Sequence, residues 1–146
     1  MIQEDNNGWI WVGTSAGVYI FNPDSLMNDP DNYITYNYNN GKLRSNEIKC
    51  IHQDSKGRIW VGTSGKGFSM CMPEGDYRNL TFEHYDGSDG LVNSMVQSIV
   101  EDREGKLWVA TEYGISRFDP DTHAFENFLF FQHMRWGMFI VRTVVV

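Results

Sequence analysis

The stretch Asp54-Ser55-Lys56-Gly57-Arg58-Ile59-Trp60-Val61-Gly62-Thr63 decides the fold, because the chain contains it three times. Asp5 to Thr14 reads DNNGWIWVGT, and Asp102 to Thr111 reads DREGKLWVAT. The shared pattern is D-x-x-G-x-[IL]-W-V-[GA]-T, and successive copies begin 49 and 48 residues apart. Self-similarity at such a period marks a repeat architecture. A single copy would suit a hairpin in any sandwich. Three in register require a unit that is itself repeated.

Each copy has the chemistry of a turn followed by a strand. Asp5, Asp54 and Asp102 cap a tight turn through their side-chain oxygens, and Gly8, Gly57 and Gly105 supply the positive φ that ends it. Ile59-Trp60-Val61 is β-branched and aromatic. Alternation sends Ile59 and Val61 to one face and Trp60 and Gly62 to the other. Both faces are apolar, so the strand is expected to be buried on both sides. A small residue at Gly13, Gly62 and Ala110 would let a neighbouring sheet approach closely. Trp11, Trp60 and Trp108, flanked by Ile, Leu and Val, are read as core rather than as a stacking platform for sugars.

The rest of the second repeat parses as a meander of short strands. Asn46–Gln53 is the first strand, Arg58–Thr63 the second, Gly67–Met72 the third and Leu80–Tyr85 the fourth. The third repeat follows with Ser94–Glu101, Lys106–Thr111, Gly114–Phe118 and Ala124–Phe128. The first is truncated: Met1–Glu4 is the tail of its first strand, and Asn22–Asn32 reads as a long acidic surface insertion. The expected fold is all-β, a partial β-propeller of about three four-stranded antiparallel blades. Blade one spans 1–37 in part, blade two 46–85 and blade three 94–128, within one partial propeller at 1–128. It does not close a ring by itself.

Composition narrows the function. The net charge of −7 argues against nucleic acid or an anionic membrane surface as the main partner. Cys50 and Cys71 are too few for a disulfide framework and fall on strands two apart in one sheet, so buried free thiols are expected. His52, His84, His123 and His133 show no metal-ligand spacing. Asp86-Gly87-Ser88-Asp89-Gly90 lacks the donor pattern of a calcium loop and reads as a turn. No nucleophile triad, phosphate loop or zinc-protease motif is present, so neither catalytic residues, nor a cofactor, nor a metal are assigned. No signal peptide opens the chain, and Met1–Asp5 runs directly into a repeat, as expected of an internal start or a fragment.

These residues carry a resemblance. The string [IV]-x-x-[DE]-x-x-G-x-[IL]-W-V-G-T, then G-[VIL]-x-x-[FY]-[ND]-P, then G-L-x-[SN]-x-x-[IV] resembles the two-component regulator propeller repeat over roughly residues 1–128. The resemblance implies a periplasmic or extracytoplasmic sensor propeller of a bacterial hybrid sensor kinase. Such a propeller detects a nutrient such as a glycan fragment and relays the signal. Residues 129–146 depart from the pattern. That apolar tail is read as a non-native extension or as an extra strand pair; Arg135 near its middle argues against a transmembrane helix, and no direct membrane insertion is expected.

Topology says where a ligand would sit. In a four-strand meander the second-to-third links and the blade-to-blade connectors share one end, and the D-x-x-G turns share the other. The connector end holds Arg44, Asn46, Lys66, Asn93, Glu112 and Tyr113, which vary among the repeats while the frame stays fixed. They are the candidate binding residues for a carbohydrate or other small molecule. Two competing functions are a propeller lyase of the streptogramin-lyase type and a plain protein-binding propeller. Two open blade faces make the remaining blades or a second copy of the chain the expected macromolecular partners. Arg58, at the solvent end of the turn, is expected to contribute little to stability.

Overall fold

Short strands separated by turn residues stack here into sheets that follow the order of the chain. The computed structural model describes residues 1–133 and 137–144. The first sheet contains β1 (Ile2–Glu4), β2 (Ile10–Thr14), β3 (Gly17–Phe21) and β4 (Ile34–Tyr36). The second contains β5 (Ile48–Gln53), β6 (Ile59–Thr63), β7 (Phe68–Cys71) and β8 (Glu83–Tyr85). The third contains β9 (Val96–Glu101), β10 (Leu107–Thr111), β11 (Gly114–Phe118), β12 (Phe125–His133) and β13 (Gly137–Val144). In each, neighbours in sequence are antiparallel neighbours in space. These are three propeller blades in a row, not closed into a barrel.

The blades pack face to face, and the two faces of the W-bearing strand go to different cores. Ile59 and Val61 join Trp11, Val18, Ile20, Ile48 and Ile51 in the core between blades one and two. Trp60 joins Phe68, Tyr85, Val96, Leu107, Val109 and Phe118 in the core between blades two and three. Each blade thus has an entry face, turned to the blade before it, and an exit face carrying the tryptophan, turned to the blade after it. Burial follows this polarity. All five residues of β6, in the middle blade, are buried. In β2 only Trp11 is buried, while Ile10 and Val12 on the entry face are half-exposed. In β10 Leu107, Val109 and Thr111 on the entry face are buried, while Trp108 and Ala110 are half-exposed.

Small residues at the foot of the tryptophan set the spacing between sheets. A Cβ on Gly13 would come within 2.6 Å of Ile48 Cγ2 in the next blade. A Cβ on Gly62 would lie 2.4 Å from Cys50 Sγ and 2.7 Å from Val96 Cγ1. Such separations are well inside van der Waals contact, so these positions exclude any side chain at the observed spacing. Cys50 and Cys71 are both buried and unpaired. They lie on opposite sides of the second blade, Cys71 in the first core and Cys50 in the second. Burial pushes the Cys50 thiol up to about 11 and raises that of Cys71 as well.

Several local features differ from the sequence reading. The insertion after β3 contains a short helix, α1 (Pro23–Asn28). Asn22 caps it by accepting from the N–H groups of Asp24 and Ser25, and Pro23 takes the first helical turn, where a missing N–H costs nothing. The fourth strand of blade two begins at Glu83 rather than Leu80, because Tyr77–Asn79 forms a 3-10 turn that turns Tyr77 inward. The Asp86–Gly90 turn is a 3-10 helix over Gly87–Asp89, closed by a reciprocal capping box between Asp86 and Asp89. The tail adds a strand: β12 continues to His133 and pairs with β13 along its outer edge. Arg135 lies outside the described residues.

Candidate ligand site on the connector end

The D-x-x-G end is built from an internal hydrogen-bond frame. In blade two, Asp54 Oδ1 accepts from the N–H groups of Lys56 and Arg58, while Oδ2 accepts from the Trp60 indole at 2.8 Å. The same indole bond recurs from Trp11 to Asp5 at 2.8 Å and from Trp108 to Asp102 at 2.9 Å. Gly8, Gly57 and Gly105 have φ of +82°, +86° and +78°, the left-handed region in which a Cβ is strained. The repeated Asp therefore caps the turn and also satisfies the buried indole N–H, a pairing that sequence reading missed. A fixed offset of six between Asp and Trp in every copy was the available signal.

A third partner completes each frame. Tyr77 Oη donates to Asp5 Oδ2 at 2.7 Å, Arg58 Nε reaches Asp54 Oδ2 at 2.6 Å, and Arg117 Nη2 reaches Asp102 Oδ2 at 3.2 Å. The guanidinium of Arg58 also lies 5.7 Å from the Trp60 ring centroid. This overturns the reading of Arg58 as a bystander: its side chain is only 13% exposed, and it neutralises a carboxylate that is wholly buried. Asp and Trp at the three repeat positions are thus accounted for structurally.

The connector end is where the blades differ. Its backbone is stitched by contacts from the second-to-third links, some to the connector opening the next blade and some to the connector opening their own blade. Gly17 N donates to Asn46 O, Ser64 N to Glu47 O, Gly65 N and Gly67 N to Ser94 O, and Glu112 N to Met95 O. On this rigid base the six candidate residues separate. Arg44 and Lys66 line one hollow of about 400 Å³, together with Tyr38, Gly41, Leu43 and Asp86. Glu112 lines a second, smaller hollow of about 200 Å³ with Lys49, Ser64, Met95 and Gln97. Asn46 and Asn93 serve the backbone instead. Asn46 Oδ1 accepts from Tyr38 N at 2.8 Å and its amide donates to Asn39, while Asn93 Oδ1 accepts from Met95 N at 2.8 Å. Tyr113 is 61% exposed, and its carbonyl accepts from Phe130 N. The six do not form one site.

The larger hollow has a defined electrostatic make-up in a chain that is acidic as a whole. Asp86 is held below the usual carboxylate range by the Ser88 hydroxyl and N–H, and then by the charges of Arg44 and Lys66. Arg44 Nη1 contacts Asp86 Oδ2 at 3.1 Å. The Lys66 ammonium makes no hydrogen bond or ion pair among the described residues. Behind the rim, Ser69 Oγ and His84 Nδ1 are 2.7 Å apart. Burial, and secondarily the charge of Arg44, lowers the pKa of His84. His52 Nε2 is buried without a hydrogen-bond partner among the described residues. No group of three His, Cys, Asp or Glu converges as a metal cage among the described residues, and none of their helices is long and apolar enough to cross a membrane.

Comparison with known families agrees with this frame. The two-component regulator propeller profile matches residues 42–65 and 90–113, each a connector, a first strand, the D-x-x-G turn and the W-bearing strand, or most of these. Two stretches of the chain thus match the two-component regulator propeller repeat. It is similar in structure to the extracellular domain of the hybrid two component system BT3049 from B. thetaiotaomicron, with a TM-score of 0.70 and 26% identity over 95% of this chain. The extracellular domain of BT4673 from the same organism, described as a hybrid two component system, superposes with a TM-score of 0.69 at 16% identity over 99% of the chain. A second structure of that domain, described as a one component system, gives 0.67 at 21% identity, again over 99% of the chain. The propeller repeats span only 20% of the first of these proteins, 24% of the second and 23% of the third. No curated protein matches the chain significantly in sequence.

Proposed function

We propose that these propeller repeats form part of an extracytoplasmic sensor that recognises a nutrient-derived small molecule, such as a glycan fragment, and relays its presence to a two-component system. The observation that supports this most is the division of labour along the blades. The D-x-x-G end is committed to a structural frame repeated three times and has shallow hollows of about 160 and 100 Å³, whereas the connector end differs from blade to blade and has hollows of about 400 and 200 Å³. The family match and the likeness to an extracellular domain of a hybrid two component system favour the same role.

A binding role suits the lining of the larger hollow better than a catalytic one. Arg44, Lys66 and Tyr38 offer charge and an aromatic surface, and the single carboxylate, Asp86, is already engaged by Ser88 and Arg44. The experiment is a thermal-shift screen of the chain against neutral and acidic saccharides, from monosaccharide units to short oligomers. At least one saccharide is expected to raise the melting temperature in a dose-dependent way. A panel that leaves the melting temperature unmoved throughout would remove the saccharide-sensing reading.

A further inference from the structure

We infer that the hollow between blades one and two takes the carboxylate-bearing unit of an acidic saccharide, with Lys66 and Arg44 on the carboxylate and the Tyr38 ring beneath the sugar. This rests on the proposed sensing role and specifies its ligand class and its site. The volume of about 400 Å³ lies in the ordinary range of small-molecule pockets and would hold a sugar unit. Three independent parts of the chain build it: the connector from Tyr38 to Arg44, the link bearing Lys66, and the capped turn at Asp86.

Each of the three is fixed before any ligand arrives. The N–H of Tyr38 is held by Asn46 Oδ1, and the N–H groups of Lys42 and Leu43 both donate to Asn37 O. The Leu43 side chain is anchored in the core between blades one and two. Lys66 sits between Gly65 and Gly67, whose N–H groups both donate to Ser94 O. Asp86 is locked by Ser88 and by its capping box. A site whose backbone does not have to be ordered on binding loses less affinity to entropy.

The charge balance selects the anion. Asp86 spends Oδ1 on the N–H and hydroxyl of Ser88 and Oδ2 on Arg44, so it neutralises one cation of the pair and orients its guanidinium. Arg44 meets Asp86 through Nη1 alone, which leaves its remaining N–H groups for a ligand. Lys66 adds a second positive charge beside them, one that makes no hydrogen bond or ion pair among the described residues and acts on Asp86 only through space. A carboxylate placed between Lys66 and Arg44 would gain charge-assisted hydrogen bonds to both. Tyr38, 65% exposed at the rim, supplies a flat apolar face of the kind on which the C–H side of a sugar ring lies.

The test is an amide NMR titration of the 15N-labelled chain with glucuronate and galacturonate, beside glucose, galactose and inorganic sulfate. The uronates are expected to move the amides of Gly41, Arg44, Gly65 and Lys66 in a saturable way, and the neutral sugars are not. Lys66→Gln and Arg44→Gln should each weaken uronate binding about tenfold or more. Tyr38→Ala should weaken it while leaving the spectrum otherwise folded. Neutral sugars binding as tightly as uronates, with Lys66→Gln without effect, would overturn the acidic class and leave the sensing role standing. Uronate shifts confined to residues away from this hollow, or none at all, would overturn the site. Sulfate reproducing the full effect would reduce the site to a simple oxyanion pocket and overturn the saccharide part.

Discussion

At the residue scale the fold depends on an aspartate and a tryptophan six positions apart. A buried indole needs an acceptor, and a buried carboxylate needs donors. Asp54 and Trp60 meet both needs, with Arg58 balancing the remaining charge. Trp60→Ala is expected to cost about 3–5 kcal/mol, the usual range for emptying a large aromatic site. Trp60→Phe keeps most of the volume and removes one hydrogen bond, so it should cost about 1–2 kcal/mol. Arg58→Ala leaves the Asp54 carboxylate buried without its counter-charge and should cost on the order of 2–4 kcal/mol. Chemical denaturation of the three variants would rank them. A ranking with Arg58→Ala indistinguishable from wild type would contradict the frame. The turn role of Asp54 and the core role of Trp60 are both legible in the repeat, since Asp precedes Gly and Trp lies among Ile and Val. Their mutual bond is not, because six residues of turn and strand must be folded before the two side chains meet. The third partners are less legible still: Tyr77 reaches Asp5 from another blade, 72 positions away.

At the scale of elements, spacing between sheets is set by what lacks a side chain. Gly62→Ala would force Cys50 and Val96 apart and should destabilise by about 1–3 kcal/mol, the range for overpacking. Ala110 occupies the equivalent position on the half-exposed exit face of blade three, so Ala110→Gly should cost only the few tenths to one kcal/mol of added backbone freedom. Equal costs at the two sites, measured by thermal melts, would argue against the stacking order. A second element-scale prediction concerns acid. Lys106 Nζ pairs with Asp119 Oδ2 at 2.8 Å across β10 and the end of β11, and the ammonium holds the Asp119 carboxyl well below its ordinary range. A folded-state pKa depressed in this way adds stability above the unfolded value, near 4, and that stability is lost as pH falls through the folded value. Asp119→Asn should therefore flatten part of the stability profile on the acid side and leave the slope above pH 6 unchanged. A steeper acid loss in the variant would reverse the sign and refute the pairing. Strand positions were legible here from the period-two pattern and the turn residues. The connector end is legible only as a location: Arg44 and Lys66 share a hollow, but Tyr38 lies between the segments read as blades one and two, and Asp86 lies in a stretch that reads only as a turn. Asn46 and Asn93, chosen for their variation, prove to hold backbone.

At the scale of the whole molecule, the same interface occurs twice within the chain and leaves one face of each kind without a blade. Blade one shows Ile10, Val12 and the strongly exposed Ile2 on its entry face, and blade three shows Trp108 and Val100 on its exit face. Apolar faces of this kind favour association. Light scattering of the purified chain is expected to give a mass above the 16.9 kDa monomer, falling as the chain is diluted. A cooperative, monodisperse monomer would contradict that. The central claim, that each blade is closed by the next through its tryptophan, can be tested with one measurement on the folded chain. Hydrogen exchange of the indole N–H groups, assigned by Trp→Phe substitution, compares Trp11, Trp60 and Trp108 at the same position of the repeat. Trp11 and Trp60 are 0% and 1% exposed beneath a following blade, whereas Trp108 is half-buried against Phe128 and Arg117. The account predicts slow exchange at Trp11 and Trp60 and exchange faster by orders of magnitude at Trp108. Equal rates at all three, or the slowest rate at Trp108, would contradict it.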